Sequence, residues 1–512
     1  MRDATPRPAS RRIQASRHLR SALALVLALA VVAALAVTAL AVTALAQKPP
    51  AGTAAPAKPV PAPAKPVPAP AKPAPAPAKP APAPAQTPRR SAVIVIPGAR
   101  VLDAASGAYL PPATIVIEDG RIKSMTPEMP ANLPASATTL KTDGGIVVPG
   151  LIDAHAWAAP TADLDSDYSY LMGLAHGVTT YRVLNARTSW AVGQRARARS
   201  GTILAPRLVT SGRGIQQGAT PWRWLFDAPD ARTAAAEVQQ QVAAGVDWIA
   251  AYDNLSPDII KAMLAAAKDT PVRISAWPGA SSLAELADLR VASIESLEFP
   301  LKPRGGSSED AWLAAPAKDL IALRTRLLRS RAVLVPMLAA TRMRAYPDEV
   351  IDSPALALLP EARRAAIANE LKALAPADVA KAKRVWALQA AFVAQFVRAG
   401  GRVAAGSGFE WRGYPPPGIG LHLELSALVR AGLSPEDALR TATTNAADMM
   451  ALGKEAGVIA PGAEANFIIV QGDPLKRIQD LQKITTVVRG GEVFDVKALL
   501  ARAQGALAVG PR

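Results

Sequence analysis

Between residues 147 and 408 the chain alternates eight times between a short β-branched run and a longer Ala-rich stretch. The strand candidates are 147–156, 178–184, 207–212, 247–253, 272–277, 292–298, 333–338 and 402–408. Amphipathic segments such as 231–244, 257–268 and 374–399 lie between them. Few architectures accept that rhythm. Parallel strands need long crossover connections, and helices supply them. Eight such units predict an α/β fold of the (β/α)8 kind, a TIM-like barrel. The longest spacing follows the seventh strand, so insertions are expected there.

The texture on either side is different. Ser91–Leu102 and Ala113–Lys123 are β-branched runs, and Glu118-Asp119-Gly120 supplies an Asp-Gly hairpin turn. Short strands return at Asn466–Val470 and Thr485–Phe494, again with glycine turns. These flanks predict a small β-sandwich made from residues 91–149 and 455–500, with the barrel over 150–454 between its halves.

The first ninety residues follow other rules. Residues 1–20 form a basic segment with Arg2, Arg7, Arg11, Arg12, Arg17 and Arg20. Residues 21–46 carry no charge. At about 1.5 Å per residue a helix there spans roughly 39 Å, enough for a bilayer. The run ends in Ala44-Leu45-Ala46, a signal-peptidase pattern. It therefore reads as a signal peptide or as a transmembrane helix, and both stay open. Residues 57–84 are four copies of Ala-Lys-Pro-x-Pro-Ala-Pro, which excludes helix and sheet. The stretch 47–90 is expected to be a disordered, Pro-rich linker reaching about 130 Å if extended. A basic flank before an apolar run keeps that flank in the cytoplasm. The barrel is thus expected to be exported, either periplasmic or extracellular, or anchored in the inner membrane with the barrel outside the cytoplasm.

Charge sharpens this picture. The net charge of +17 invites a nucleic-acid reading. Residues 1–90, however, hold thirteen Lys and Arg against a single acid, Asp3. The remainder is close to neutral, so no nucleic-acid partner is expected. With no cysteine in the chain, disulfides, thiolate metal sites and a cysteine nucleophile are excluded.

Several stretches, in this order and spacing, carry a family resemblance: Val148-Pro-Gly-Leu-Ile-Asp-Ala-His155, Gly177-Val-Thr-Thr-Tyr-Arg182, Asp247–Asn254, Ser293-Ile-Glu-Ser-Leu-Glu298, Ala405-Gly-Ser407, Leu421-His-Leu-Glu-Leu425, Leu433–Leu439 and Gly457–Gly462. Together they resemble the metal-dependent amidohydrolase superfamily, in its imidazolonepropionase-like and Xaa-Pro dipeptidase-like branch. The likeness covers about residues 92–495. It implies a divalent ion at the C-terminal mouth of the barrel, where metal makes hydroxide available near neutral pH. It also implies the ligands: His-x-His on strand 1, a carboxylatable Lys on strand 4, one His each on strands 5 and 6, and an Asp on strand 8.

Mapped onto this chain, those roles are nearly all lost. His155 keeps the first. The others fall on Trp157, Ala250, Ala276, Ser296 and Gly408, none of which suits a divalent ion. No shift of register repairs this, because the chain has four histidines: His18, His155, His176 and His422. His18 is in the tail, and His176 precedes strand 2 on the side opposite the mouth. His422 follows strand 8 in a helical stretch and is expected near the mouth. No resident cofactor is expected.

The remaining candidates are weak. His155 and His422, with Glu298 or Glu410, are the groups from which any catalysis would come. His155 also reads as a residual mouth side chain bonded to a neighbour. Asp153, two residues earlier, shares its strand face and offers a carboxylate–imidazole pair. Glu295, Glu298 and Glu410 end strands, where they either do acid–base work or bond loop amides and Arg182. Trp157, Trp277 and Trp411, with Arg182, are ligand-binding candidates. The three indoles either plug the vacated mouth, which we prefer, or give a stacking surface. Ser407, in Gly-Ser-Gly, lacks the nucleophile-elbow pattern.

The expectation is an inactive pseudoenzyme whose mouth retains a ligand or partner, the partner being a small ligand or an intact homologous amidohydrolase. Two alternatives stay open. One is an active hydrolase of dipeptide or other amide or lactam C–N bonds, with zinc or another divalent metal in a reduced site. The other is a structural envelope component, tied to the membrane through residues 21–46.

Overall fold

The computed structural model describes residues 93–156, 158, 165–218, 224–302, 306–408, 416–453 and 455–509. The apolar run 21–46 and the Pro-rich stretch 47–90 lie outside them. No helix among the described residues is long and apolar enough to cross a membrane.

The N-terminal flank contributes β1 (Ile94–Asp103), β2 (Ala108–Tyr109), β3 (Ala113–Glu118), β4 (Arg121–Thr126), β5 (Thr138–Thr139) and β6 (Ile146–Pro149). The barrel contributes β7 (Leu151–Ala156), β8 (Val178–Val183), β9 (Arg207–Thr210), β10 (Gly214–Gln216), β11 (Leu225–Asp227), β12 (Trp248–Ala251), β13 (Arg273–Ala276), β14 (Ser293–Glu295) and β15 (Val333–Val335). The C-terminal flank returns as β16 (Phe467–Val470), β17 (Ile484–Arg489) and β18 (Glu492–Asp495).

The flanks join into one hydrogen-bonded sheet, in the order β18-β17-β16-β6-β1-β3-β4. The seam is β6 against β16, antiparallel, with Phe467 opposite Pro149 and Val470 opposite Ile146. The irregularity between Ile96 and Ala99 divides β1. Its first half faces β3, and Arg100 and Val101 face β6. Bulges bend strands, so one chain segment serves both halves of the sheet. Alternating Ile and Val from both flanks close its core, including Ile94, Ile96, Ile115, Ile117, Phe467 and Ile469. At the foot of the barrel Arg207 pairs with Glu455 at 3.1 Å and also with Glu464, tying β9 to this sheet.

The barrel is an α/β, TIM-like ring of parallel strands. β7, β8 and β9 pair in order, and a bridge from Ser211 to Trp248 carries the ring to β12. β12, β13, β14 and β15 continue it. Two short strands not anticipated in the sequence, β10 and β11, lie beside β12.

The eighth strand expected over 402–408 is not regular. Only Val403 forms a bridge, to Leu334. The segment still closes the ring, because Ala154 N donates to Ala405 O and Gly408 N donates to His155 O, each at 2.9 Å. Its glycines explain the irregularity. A Cβ at Gly406 would sit 2.5 Å from the His155 Cβ, and Gly408 has φ +55°. Only glycine lets the backbone come this close to strand 1.

The insertion after the seventh barrel strand is helical: Leu338–Ala345, Pro347–Ile351, Glu361–Lys372 and Pro376–Arg398. The first, third and fourth of these helices form part of the wall of the mouth.

Candidate functional site

Buried polar residues on β7, β8 and β14 meet inside the barrel near its C-terminal end. Alternation along β7 sends Asp153 and His155 to the same face. Arg182 on β8 and Ser293 and Glu295 on β14 point into the same space, and all five are buried.

Glu295 is the hub. Its Oε1 accepts from Arg182 Nη2 at 2.7 Å and from Ser293 Oγ at 2.6 Å. Its Oε2 lies 2.8 Å from His155 Nδ1. Arg182 also donates through Nε to Ala154 O and through Nη1 to Ser293 Oγ, and its guanidinium lies 4.5 Å from the Trp248 ring centroid. Burial pushes the Glu295 carboxyl up, but the Arg182 charge and the bonds from His155 and Ser293 pull it below the ordinary carboxylate range. An ionised Glu295 can only accept, so His155 donates from Nδ1.

The carboxylate–imidazole pair expected between Asp153 and His155 does not form. Asp153 Oδ1 accepts the backbone N–H of His155 at 3.1 Å and of Ser407 at 2.9 Å, and Oδ2 accepts from Ser407 Oγ. The side chain is used up holding strand 1 to the eighth segment, and the imidazole turns across the barrel to Glu295. Burial raises the Asp153 pKa to about 6 despite these bonds. Ser407 serves the same tie.

His422 is not at the mouth. Its Nε2 donates to His176 O at 2.8 Å, and the two rings are 6.2 Å apart. His176 caps the C-terminus of helix Ser166–Ala175 and precedes the N-terminal end of β8. The pair therefore lies at the opposite end of the barrel from His155. Burial and the neighbouring His176 lower the His422 pKa to about 4, so the ring is neutral. The reduced site of His155, His422 and a carboxylate cannot be assembled across that distance.

The mouth holds a cavity of about 670 Å³ that reaches His155, Trp277, Ser296, Glu298 and Gly408. Trp277 stacks on Tyr252, with centroids 4.4 Å apart and planes 20° apart, and meets the His155 ring edge-on at 4.9 Å. It lines the cavity. Trp157, Glu410 and Trp411 lie outside the described residues.

Among the described residues the donor set does not fit a divalent ion. Ala250 and Ala276 are buried on β12 and β13, Ser296 follows β14 and Gly408 lies beside His155. Among the described residues no group of three or more His, Cys, Asp or Glu is placed to hold a metal. Zinc sites take three or four such ligands.

One residue that sequence reasoning passed over shapes the mouth. Glu424, buried in helix Ile419–Arg430, accepts the N–H groups of Leu338 at 3.0 Å and Ala339 at 2.7 Å. It caps the first helix of the insertion, whose leading residue Met337 has φ +50°. Burial raises the Glu424 pKa to about 7. The signal was a lone acid inside Leu421-His-Leu-Glu-Leu425: a buried carboxylate on an apolar helix needs donors.

The amidohydrolase family model matches residues 146–494. No curated protein matches the chain. Among solved structures, a putative prolidase from Bifidobacterium longum is 22% identical with a TM-score of 0.63, covering 81% of this chain and 99% of that one. An Xaa-Pro dipeptidase with bound methionine in its active site is 18% identical, TM-score 0.60, covering 79% and 100%. Bottromycin amidohydrolase is 22% identical, TM-score 0.61, covering 81% and 90%. At such identities these structures speak for the fold. A family match over more than half of the sequence speaks for descent, and the chain belongs to the amidohydrolase family.

Proposed function

We propose that this chain is an exported amidohydrolase-family protein that no longer hydrolyses C–N bonds and has kept the barrel mouth as a ligand-binding site. The observation that carries the reading is the state of His155. Among the described residues it is the one imidazole at the mouth, and its Nδ1 is committed to Glu295, which Arg182 already neutralises. A lone ring nitrogen cannot cage a metal, and the described residues beside it bring no other donor set. The cavity of about 670 Å³ is within the range of small-molecule sites, with an aromatic wall and a few polar groups. In this reading the first 90 residues deliver and tether the barrel, through the apolar run 21–46 and the spacer 47–90.

The test is a hydrolysis screen of the purified protein against dipeptides, including Xaa-Pro, and against lactams, with and without added zinc. The reading expects no turnover above the buffer rate in either condition. Turnover that disappears on Ala substitution of His155 would overturn it. Retention of a ligand at the mouth is separately visible as binding in a small-molecule screen.

A further inference from the structure

We propose that Glu424 is a proton-operated latch on the wall of the mouth. Ionised, it holds the first turn of helix Leu338–Ala345 in place; a proton taken up on the carboxylate releases that turn and loosens the wall. The device belongs to the fold and does not depend on a ligand being present.

The helix is the part that can move. It is eight residues long and has a break in the backbone at each end. Met337 before it has φ +50°, and Tyr346 after it has φ −135° and ψ 65°. Pro336, Met337, Ala340, Thr341, Met343 and Arg344 line the cavity. A shift of this one helix therefore changes the shape of the mouth.

Its first turn is held from outside. The leading N–H groups of a helix have no partner within it, and Met337 makes no side-chain cap for them. Glu424 supplies both acceptors from another helix: Oε1 takes Leu338 N at 3.0 Å and Oε2 takes Ala339 N at 2.7 Å. Each oxygen facing a donor is the arrangement a carboxylate wants. Protonation turns one oxygen into a donor, which then faces an N–H. The helix N-terminus favours the negative charge as well.

Burial pulls the other way. Glu424 is 0% exposed. Among the described residues the one charge that acts on it is Asp153 on β7, of the same sign. The cations of the capped helix are engaged elsewhere, Arg342 with Glu349 and Arg344 with Glu309. On the other elements packed against the helix of Glu424, Lys381 pairs with Asp310, Arg440 with Asp437, and Asp480 with Arg477 and Lys483. His422, on the same helix, is neutral. Two N–H bonds thus favour the charge while desolvation and Asp153 oppose it. The opposed effects leave the carboxyl at about 7, where both of its states are populated near neutral pH.

The experiment is hydrogen–deuterium exchange by mass spectrometry on the full-length protein, from about pH 8.5 down to about pH 5.5. The readout is the protection of 338–345, corrected for the intrinsic rate and divided by that of helix Pro257–Ala267. We expect this ratio to fall about tenfold as pH drops, the scale of a charged hydrogen bond exchanged for a neutral one. Glu424→Gln offers one acceptor oxygen and no charge, so its ratio should sit at the low value at every pH. A ratio in the parent that does not change with pH overturns the latch, and so does an equal fall in Glu424→Gln. If that variant does not fold, the segment 402–408 decides, because Asp153 holds Ser407 there. A fall confined to 338–345 supports Glu424; a fall shared by 402–408 assigns the effect to Asp153 and overturns the proposal.

Discussion

His155 Nδ1 and Glu295 Oε2 lie 2.8 Å apart inside the barrel, and Arg182 holds the other oxygen of the same carboxylate at 2.7 Å. The three residues come from β7, β14 and β8, so one hydrogen-bonded cluster spans the ring. Inside the barrel the Arg182–Glu295 ion pair has the His155 imidazole leaning on it.

The ion pair makes Glu295 more important to stability than His155. Glu295→Gln leaves the buried Arg182 guanidinium without its counter-charge, a change that costs about 3–5 kcal/mol in comparable buried pairs. His155→Gln removes one hydrogen bond from a carboxylate that keeps Arg182 and Ser293, and should cost about 1–3 kcal/mol. Urea denaturation of both variants checks the order. Equal losses would mean that the pair is not the hub.

Stability should fall between mildly acidic and neutral pH through two buried carboxyls. Asp153 and Glu424 are raised by burial, to about 6 and about 7. The folded state keeps their protons at pH values where the unfolded chain has released them. Their contribution is complete below the unfolded values, near pH 4, and is lost as pH climbs through 6 and 7. Glu295 is lowered, so its stabilisation is present above its unfolded value and is lost only as pH falls below that value. Glu424→Gln cannot titrate. The stability of the parent relative to this variant should therefore drop by about 2–3 kcal/mol from pH 4.5 to 7.5. Denaturation curves at both pH values give the difference directly; a parent that gains on the variant as pH rises contradicts the burial argument.

The contact between the eighth segment and strand 1 needs glycine. A Cβ at Gly406 would meet the His155 Cβ at 2.5 Å and Val335 Cγ1 at 2.7 Å, so Gly406→Ala should destabilise by about 1–3 kcal/mol. Gly193, in helix Thr188–Arg199, has nothing within 4 Å of an added Cβ. Gly193→Ala should stabilise by about 0.5–1 kcal/mol. Thermal melts of the two single variants should move in opposite directions.

Much of this architecture was legible because it is periodic. Val178–Val183 and Trp248–Ala251 read as strands from their β-branched or apolar runs, and Pro376–Arg398 as a helix from its spacing. The eighth strand was not, because Gly406 and Gly408 answer to a close approach by His155 that lies far away in sequence. Residue identity alone gave the four histidines. It did not give their partners: Glu295 is 140 residues from His155, and local pattern says nothing about neighbours across a barrel. His422 was misplaced for a related reason. Its helix was recognised, but the way that helix packs onto His176 is set by tertiary contacts.

The most direct measurement is the metal content of the full-length protein, by elemental analysis after incubation with zinc and exhaustive dialysis. A mouth with one imidazole should retain far less than one equivalent, and Ala substitution of His155 should leave that background unchanged. One tightly held zinc per chain, lost in the His155 variant, would contradict the account.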